Sequence, residues 1–335
     1  MPGLVLVTGP NGVGKTNLLE AVHVGVQGFS PRTRSDRQLV RFGEEAARVS
    51  LSGVRRALPV TTTVTIRPGE PKTVNLNGAP VANAEDLRHE LAALAFTPDR
   101  LAVVKGGPIV RRTYLDRLLG RLAPALAELP SEYARALGQR NAGLRRARAG
   151  LSSRDALAPW TAQLARLGSE LDAARAAAVA QLAPGFAVHG ETLGLPSPAL
   201  RYDERGLAPE ELEARLERDL ERGTTGAGPH LRDVDVLAGP RDLRAFGSQG
   251  EQRAAVLALV LAEAELLGTR RGEPPLLLLD DVLSELDRAR RTALLAALPA
   301  RGQTVVTSTS ADALPPSAPA PALVVVVSPG EVRTA

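Results

Sequence analysis

The residues from Gly9 to Thr16 read GPNGVGKT and match the phosphate-binding pattern G-x-x-x-x-G-K-[ST] at every fixed position. In such a loop, backbone N–H groups surround phosphate oxygens at a helix N-terminus, the lysine contacts the terminal phosphates and the hydroxyl ligates magnesium. A glycine turn that binds nothing is the alternative, but the strand-like LVLV before the loop and the helix-like segment after it favour the phosphate site. The predicted nucleotide-binding residues are Gly9, Pro10, Asn11, Gly12, Val13, Gly14, Lys15, Thr16 and Asn17.

Two adjacent carboxylates, Asp280 and Asp281, directly follow the apolar run LLLL. Phosphoryl transfer needs a carboxylate that holds magnesium and a group that orients the attacking water. The sequence therefore predicts that Thr16 and Asp280 hold Mg²⁺ and that Asp281 is the catalytic base, with Lys15 stabilising charge on the phosphates. The alternative is a pair of acids at an ordinary strand end. Because the chain has no N-K-x-D guanine motif, ATP is the expected nucleotide.

The order of apolar patterns predicts an α/β fold that contains these motifs. A strand is expected at 3–8, an antiparallel β section at 46–82, helices through 113–183 and 209–222, and a long helix at 250–267. Strands that alternate with helices near both ends of the chain imply a mostly parallel sheet. The predicted division is an N-terminal part of the ATPase head at 1–112, a helical insertion lobe at 113–222 and a C-terminal part of the head at 223–335.

Prolines punctuate the predicted insertion lobe, and each is expected to separate helical segments. They are Pro124, Pro130, Pro159 and Pro184.

The composition narrows the class of protein. At 335 residues with no cysteine, the chain cannot form disulfides or thiolate zinc sites, and its four histidines lack a ligand spacing. Any metal should therefore be a hard ion held by oxygen. No apolar run is long enough for a membrane span, and no secretory signal precedes the phosphate loop. A soluble, cytoplasmic protein without a membrane partner is expected.

A third motif, FGSQGEQR, lies between the phosphate loop and the carboxylates. It resembles the signature loop of ABC-type ATPases, in which a serine and bare N–H groups at a helix N-terminus face the γ-phosphate of ATP held by a second subunit. The resemblance implies that Ser248, Gln249 and Gly250 complete the site of a partner copy in an ATP-dependent homodimer. Alone, the motif also fits an ordinary helix N-cap. SELD, residues 284–287, falls where that superfamily has its D-loop.

Spacing and further motifs indicate which ABC-type family the chain resembles. The span from Lys15 to Ser248 is far longer than in transporter subunits, yet it is too short for the coiled coil of SMC proteins. The chain resembles the RecF family of recombination and gap-repair ATPases. The segments that carry this resemblance are GKTNLLEAV, SPRTRSDRQLVRFGEE, FTPDRLAVVKGGPIVRRTYLD, QRNAGL, GPH, FGSQGEQR and LLLLDDVLSELDRARR.

The resemblance implies an ABC-type ATPase head that clamps DNA as an ATP-bound dimer and releases it on slow, DNA-stimulated hydrolysis. It also implies action at gaps and single-strand/double-strand junctions, and help in loading RecA together with RecO and RecR.

Transporters use a histidine as γ-phosphate switch, but here the strand TVVT ends in Thr307, Ser308 and Thr309. A hydroxyl can donate a hydrogen bond there but cannot become cationic, which would suit slow hydrolysis. His230, in GPHLRD, is a further candidate at the site.

Several arginines and no acidic residue lie between Ala134 and Arg154. Such a run is commonly a solvated helix face, but the family resemblance favours contact with DNA phosphates, which is independent of sequence and sensitive to salt. Because aromatic residues make up only 3% of the chain, duplex backbone is the expected ligand rather than stacked single strands. The predicted DNA contacts are Arg135, Arg140, Arg145, Arg146, Arg148, Lys105, Arg111 and Arg112. Arg154 belongs to the same basic run, and Arg100 and the cluster Arg32, Arg34 and Arg37 are rival candidates.

Two other functions fit parts of this pattern. A transporter motor would need a surface for a membrane partner, and the long insertion and basic run argue against it. A DNA-binding switch, in which ATP only drives dimerisation and hydrolysis is incidental, differs from the clamp ATPase in the role of Asp281.

Overall fold

The computed structural model describes residues 3–33, 35–81, 87–88 and 90–335. The residue contacts divide the chain into two compact units. The nucleotide unit comprises Met1–Leu101, His189–Leu195 and Val256–Ala335; the helical unit comprises Ala102–Val188 and Pro196–Ala255. These unit boundaries do not test the domain boundaries predicted at 112/113 and 222/223, which remain predictions. None of the described helices is long and apolar enough to cross a membrane.

Strands and helices alternate along much of the chain, with a block of strands after the first helix. The strands are β1 Gly3–Thr8, β2 Ala47–Arg55, β3 Leu58–Ile66, β4 Thr73–Leu76, β5 Ala79–Pro80, β6 Ala93–Phe96, β7 Pro198–Tyr202, β8 Val234–Ala238, β9 Arg241–Asp242, β10 Leu276–Leu279, β11 Gln303–Ser308, β12 Leu323–Ser328 and β13 Glu331–Thr334. The helices are α1 Lys15–Gln27, α2 Ala102–Lys105, α3 Pro108–Leu122, α4 Leu129–Arg148, α5 Ala158–Thr192, α6 Pro209–Ala214, α7 Leu216–Arg222, α8 Leu243–Phe246, α9 Gln249–Arg271 and α10 Arg288–Ala296.

The nucleotide unit is built on a six-stranded sheet of order β13-β12-β1-β11-β10-β6. All neighbours are parallel except β12 and β13, which confirms the mostly parallel sheet. Its central strands are apolar and buried, and Val7, Leu19 and Leu278 form one cluster between sheet and helix α1. Parallel strands bring their carboxyl ends to one edge, where α/β proteins bind ligands. The phosphate loop after β1 and the carboxylates after β10 therefore share an edge.

A second sheet in the same unit is the predicted antiparallel section. Strands β2, β3, β4 and β5 form a meander, and Asn77 and Gly78 make the predicted tight turn with positive φ at both residues. The sheet packs on α1 around Val24, Val64 and Ile66. The approach is close, because a Cβ on Gly25 would lie 2.4 Å from the Leu51 side chain. This packing supports the helix that begins at the phosphate loop.

The helical unit differs from the sequence expectation in three places. Pro184 does not end a helix, because α5 runs from Ala158 to Thr192 with the proline inside it. A proline removes one backbone donor, but a long helix buried along much of its length can retain its course through packing. The acidic segment 209–222 is two short helices separated at Arg215. A three-stranded sheet, β7-β8-β9, was not predicted.

A buried arginine holds the helical unit together. The side chain of Arg140 on α4 is fully buried and donates to Asp219 Oδ2 at 2.8 Å, to Thr225 Oγ1 at 2.7 Å and to Thr161 Oγ1 at 3.2 Å. Asp219 is itself 1% exposed, and its other oxygen accepts the N–H of Gly226 at 3.0 Å. A buried charge is tolerated when it is paired and fully hydrogen-bonded. The pair ties α4 to α7.

We expect Arg140→Leu to destabilise the chain strongly, because the substitution leaves the Asp219 carboxylate buried without its cation. Breaking one side of a buried ion pair costs about 3–5 kcal/mol of unfolding free energy. Urea unfolding followed by circular dichroism measures this loss. Arg135→Leu on the exposed face of the same helix is the matched control and should change stability by no more than about 0.5 kcal/mol. Equal stability of the two variants would contradict a structural role for Arg140.

Candidate active site

The phosphate loop takes its shape from glycines and from the neighbouring strand β12. A Cβ on Gly9 would lie 2.3 Å from the carbonyl oxygen of Val327, so any larger residue would displace the loop from the sheet. Gly14 precedes α1 with φ of 109° and ψ of 10°, in a left-handed conformation that favours glycine. The first N–H groups of α1 therefore open onto the mouth of the loop, where they can bind an anion.

Lys15 is buried within the phosphate loop. Its side chain folds back, and Nζ donates to the carbonyl oxygens of Gly9 at 2.7 Å and Pro10 at 2.8 Å. The residue is only 7% exposed. An ammonium has three donors, so a third is left for a phosphate oxygen.

Asp280 accepts hydrogen bonds from two other segments of the nucleotide unit. The hydroxyls of Thr16 and Thr307 both donate to its Oδ1, at 3.1 Å and 2.8 Å. Because the Thr16 hydroxyl donates its proton to the carboxylate, its oxygen lone pairs remain for a cation. These hard oxygen donors fit Mg²⁺, which takes one or two protein oxygens together with phosphates and water. Among the described residues, no group of three or more His, Cys, Asp or Glu side chains could hold a metal by itself.

Asp281 combines an unusual backbone with an unpaired carboxylate oxygen. Its φ is 48°, in the left-handed region that non-glycine residues rarely adopt. Its N–H donates to Thr307 Oγ1 at 2.7 Å, and its carbonyl oxygen accepts the Ser284 hydroxyl at 3.0 Å. Oδ1 of Asp281 is buried and has no hydrogen-bond partner. A buried carboxylate oxygen without a donor is costly and marks a place where a ligand or water can donate.

The predicted nucleotide residues converge on one open pocket. Pro10 contributes its carbonyl to Lys15 instead of lining the pocket, and Val13 packs against the apolar cluster behind the loop. Ser284, which the sequence singled out only as part of the SELD motif, contacts the site through its hydrogen bond to the Asp281 carbonyl oxygen. The pocket is lined by Asn11, Gly12, Gly14, Lys15, Thr16, Asn17, Asp280 and Asp281.

The hydroxyls at the end of β11 are largely used inside the protein. Thr307 is fully buried and bonds to both aspartates, and Ser308 Oγ donates to the carbonyl of Ser310 at 2.9 Å. Thr309 is exposed. The expectation that the hydroxyl of Thr307 could donate to a γ-phosphate is therefore replaced by an internal role, because its one proton is already given to Asp280.

The signature-like loop lies in the helical unit and begins the long helix α9. Ser248 and Glu251 form a reciprocal cap: Oγ of Ser248 accepts the Glu251 N–H at 3.2 Å, and Glu251 Oε2 accepts the Ser248 N–H at 2.8 Å. Arg241 donates to Glu251 Oε1 at 2.7 Å. The hydrogen bond from Arg241, followed by that from Ser248, lowers the pKa of Glu251 to about 2. The hydroxyl proton of Ser248 is not used in this cap.

The predicted DNA-contacting side chains separate into buried and exposed groups. Arg140 is buried in the ion pair with Asp219, and Arg111 is 3% exposed and pairs with Asp233 at 2.5 Å. Neither guanidinium reaches the surface. We therefore correct the prediction that these two arginines contact DNA and interpret them as structural residues. Arg112 is half-buried and donates to the carbonyl of Arg232 at 2.9 Å. The exposed side chains are Lys105, Arg135, Arg145, Arg146 and Arg148.

Two further candidates, His230 and Arg32, have partners within the protein. His230 lies in the helical unit, where Nδ1 accepts from the Tyr133 hydroxyl at 2.7 Å, Nε2 donates to the Thr225 carbonyl at 3.2 Å and burial lowers the pKa of the imidazole. The carbonyl partner fixes this neutral tautomer. Arg32 pairs with Glu20 at 3.0 Å. Arg34 lies outside the described residues.

The pattern of sequence and fold is shared with known proteins. The family model RecF/RecN/SMC N terminal domain matches residues 1–318. The DNA replication and repair protein RecF of Heliobacterium modesticaldum is 36% identical over 330 residues, which cover 94% of this chain and 89% of that protein. RecF of Myxococcus xanthus is 40% identical over 328 residues, which cover 91% of this chain and 84% of that protein.

Solved structures give the same result. The structure of the recombination mediator protein RecF-ATP in the RecFOR pathway has a TM-score of 0.84 and 26% identity, and covers 100% of this chain and 92% of its own. The Smc head domain from Pyrococcus furiosus, at 18% identity and a TM-score of 0.56 over 99% of this chain and 89% of its own, shares the fold. The chain belongs to the RecF family of SMC-like ABC ATPases.

Proposed function

We propose that this chain is an ATP-dependent DNA clamp of replication and recombinational repair, which dimerises on ATP, grips DNA and releases it on slow hydrolysis. The observation that carries the proposal is the hydrogen bond of 3.1 Å between the Thr16 hydroxyl and Asp280 Oδ1. It joins the phosphate loop to the carboxylate that phosphoryl transfer requires, although 264 positions separate the two residues. The RecF relatives and the family model support the same interpretation.

ATP binding follows from the geometry of the nucleotide unit. The N–H groups at the start of α1 bind the phosphates, and Lys15 turns its free donor toward the terminal phosphates. Mg²⁺ held by Thr16 and Asp280 would neutralise charge that develops on the phosphate oxygens during transfer. The Thr16 hydroxyl donates a hydrogen bond to Asp280, which leaves its oxygen lone pairs for the cation.

Asp281 is the residue proposed to orient the attacking water. Its Oδ1 is a buried acceptor without a donor, next to a carboxylate that is already engaged by two hydroxyls. A water that donates to Oδ1 would satisfy this atom and have its oxygen oriented for attack. Turnover should be slow because Thr307 and Ser308, at the end of β11, carry hydroxyls. A cationic side chain there could stabilise the negative charge on the phosphates during transfer, but a hydroxyl cannot.

A second copy of the chain is proposed to complete the pocket. The nucleotide pocket is open to solvent, and Ser248, in the helical unit, directly precedes a 23-residue helix. The helix dipole and the unused hydroxyl proton of Ser248 would stabilise the γ-phosphate of ATP held by the partner, with the N–H groups of Gln249 and Gly250 beside it. ATP would then join the two copies.

DNA is the proposed ligand of the exposed arginines on α4. Arg145, Arg146 and Arg148 lie in the last turn of that helix, where cations are favoured. Their targets would be phosphates, with duplex or junction DNA gripped independently of sequence. A similar solved structure is named as the recombination mediator protein RecF of the RecFOR pathway, which supports RecO and RecR as proposed partners. The proposal further includes action at gaps and single-strand/double-strand junctions, stimulation of hydrolysis by DNA, help in loading RecA and a cytoplasmic location, all of which the family resemblance implies.

Asp281→Asn should trap an ATP-bound dimer with little turnover, because the amide keeps the shape of the carboxylate but cannot accept a proton. We expect hydrolysis to fall by about 100-fold or more while ATP affinity changes little. Phosphate release and fluorescent-nucleotide titration measure the two quantities. Asp312→Asn, an exposed aspartate in the same unit, is the control. Unchanged hydrolysis in Asp281→Asn would show that Asp281 is not the base.

Ser248→Arg should abolish the ATP-dependent dimer and leave ATP binding intact, because the bulky cation blocks the proposed interaction with the partner's nucleotide. Light scattering of the chain alone, with ATP and magnesium, and with ADP gives the mass in each state. Ser153→Arg is a matched control, since Ser153 is also an exposed serine that accepts a backbone N–H in the helical unit. A wild-type chain that stays monomeric with ATP would reject the clamp but not the nucleotide site.

Replacing Arg145, Arg146 and Arg148 by alanine should weaken DNA binding equally for all sequences. For each phosphate that the variant no longer neutralises, the slope of log affinity against log salt should fall by about 0.9 for duplex DNA. Fluorescence anisotropy between low and moderate salt measures the slope. Arg166→Ala removes an exposed arginine that pairs with Glu170 and serves as control. The same slope in the triple variant and in wild type would place the DNA surface elsewhere.

A further inference from the structure

One hydroxyl connects the two catalytic carboxylates. Thr307, near the end of β11, is fully buried, and its Oγ1 lies 2.8 Å from Asp280 Oδ1 and 2.7 Å from the backbone nitrogen of Asp281. A hydroxyl has one proton to donate and lone pairs to accept. The carboxylate must take the proton and the N–H must be accepted, so both directions are fixed. All three residues belong to the nucleotide unit.

Asp280 depends on this hydroxyl for its orientation. Thr16 and Thr307 donate to the same oxygen, Oδ1, and the Asp280 N–H continues the sheet by donating to the Phe96 carbonyl at 2.9 Å. Of these three hydrogen bonds, the one from the Thr16 hydroxyl involves a group that a bound cation would also engage. Thr307 is therefore the carboxylate's fixed donor, and such supporting donors set the orientation and affinity of a metal-binding carboxylate.

Asp281 depends on the same hydroxyl for its backbone. Its φ of 48° is left-handed, and the N–H at the start of this residue is accepted by Thr307 Oγ1. Without the acceptor, a partly buried N–H would have no partner and the left-handed conformation would have no support. The conformation matters because it determines where the unpartnered Oδ1 of Asp281 points.

We propose that Thr307 is a positioning residue that holds Asp280 for the metal and Asp281 for the water through a single hydroxyl. This inference rests on the proposed ATPase function and deepens it. The neighbouring hydroxyls do not share the role, since Ser308 bonds to Ser310 and Thr309 is exposed. Thr307 acts through the two aspartates and has no proton left for a phosphate.

Thr307→Val tests the proposal because valine keeps the shape and removes the hydroxyl. We expect the increase in ATP affinity on adding Mg²⁺, measured by titration in Mg²⁺ and in EDTA, to fall about 10-fold or more, with a reduction of kcat of about 10–100-fold. Affinity in EDTA should stay at the wild-type value. Thr307→Ser restores the hydroxyl and should recover both quantities. Thr304→Val makes the same change at a buried position on the same strand and should alter neither.

Two results would overturn the proposal. One is a folded Thr307→Val variant whose Mg²⁺ dependence and turnover match wild type. The other is a Thr307→Ser variant as impaired as Thr307→Val, which would indicate that the methyl group's packing matters instead of the hydroxyl. A wild-type chain that binds ATP but shows no hydrolysis would reject the proposed function, and the Mg²⁺ dependence of binding would still decide the role of Thr307.

Discussion

The active site depends on hydrogen bonds that converge on one carboxylate oxygen, Oδ1 of Asp280. This atom accepts the hydroxyls of Thr16 and Thr307, which come from the phosphate loop and from strand β11. The parallel register places Leu279 beside Val306, so the next residues of the two segments, Asp280 and Thr307, are neighbours at the same edge. A sheet with its polar residues at one edge concentrates the chemistry there and leaves the buried strands apolar. The core and the site are therefore consequences of the same topology.

Arginine has two different uses in the helical unit. At Arg140 and Arg111 the guanidinium is buried and pairs with aspartate, where its rigid, multiple donors can satisfy a carboxylate away from water. At Arg145, Arg146 and Arg148 the same side chain is exposed in the last turn of α4. A basic run along a helix therefore mixes a structural face with a solvent face, and burial distinguishes the two.

The sequence left two roles open for the signature-like loop, a helix N-cap and an interaction with the partner's nucleotide, and the loop can have both. Ser248 is an N-cap, and its N–H is already bonded to the Glu251 carboxylate, whose pKa Arg241 and Ser248 together lower to about 2. A helix N-terminus that stabilises a carboxylate also attracts a phosphate, since both interactions use the same dipole and free N–H groups. The cap keeps the loop in shape and leaves the hydroxyl proton of Ser248 unused, so capping and the proposed interaction with the partner's nucleotide are compatible.

The phosphate loop, the strand with its two aspartates, the parallel sheet and the family could all be predicted from the sequence. These features depend on local patterns: glycines at fixed spacing, an apolar run before acids, and alternation along strands. The three-dimensional fold was needed to show that Thr307 links the aspartates, that Asp281 is left-handed and that Arg140 and Arg111 are internal. It was also needed to show that α5 continues through Pro184. Each of these depends on segments distant in sequence that pack together, and burial and hydrogen-bond partners of that kind leave no local signal in the chain.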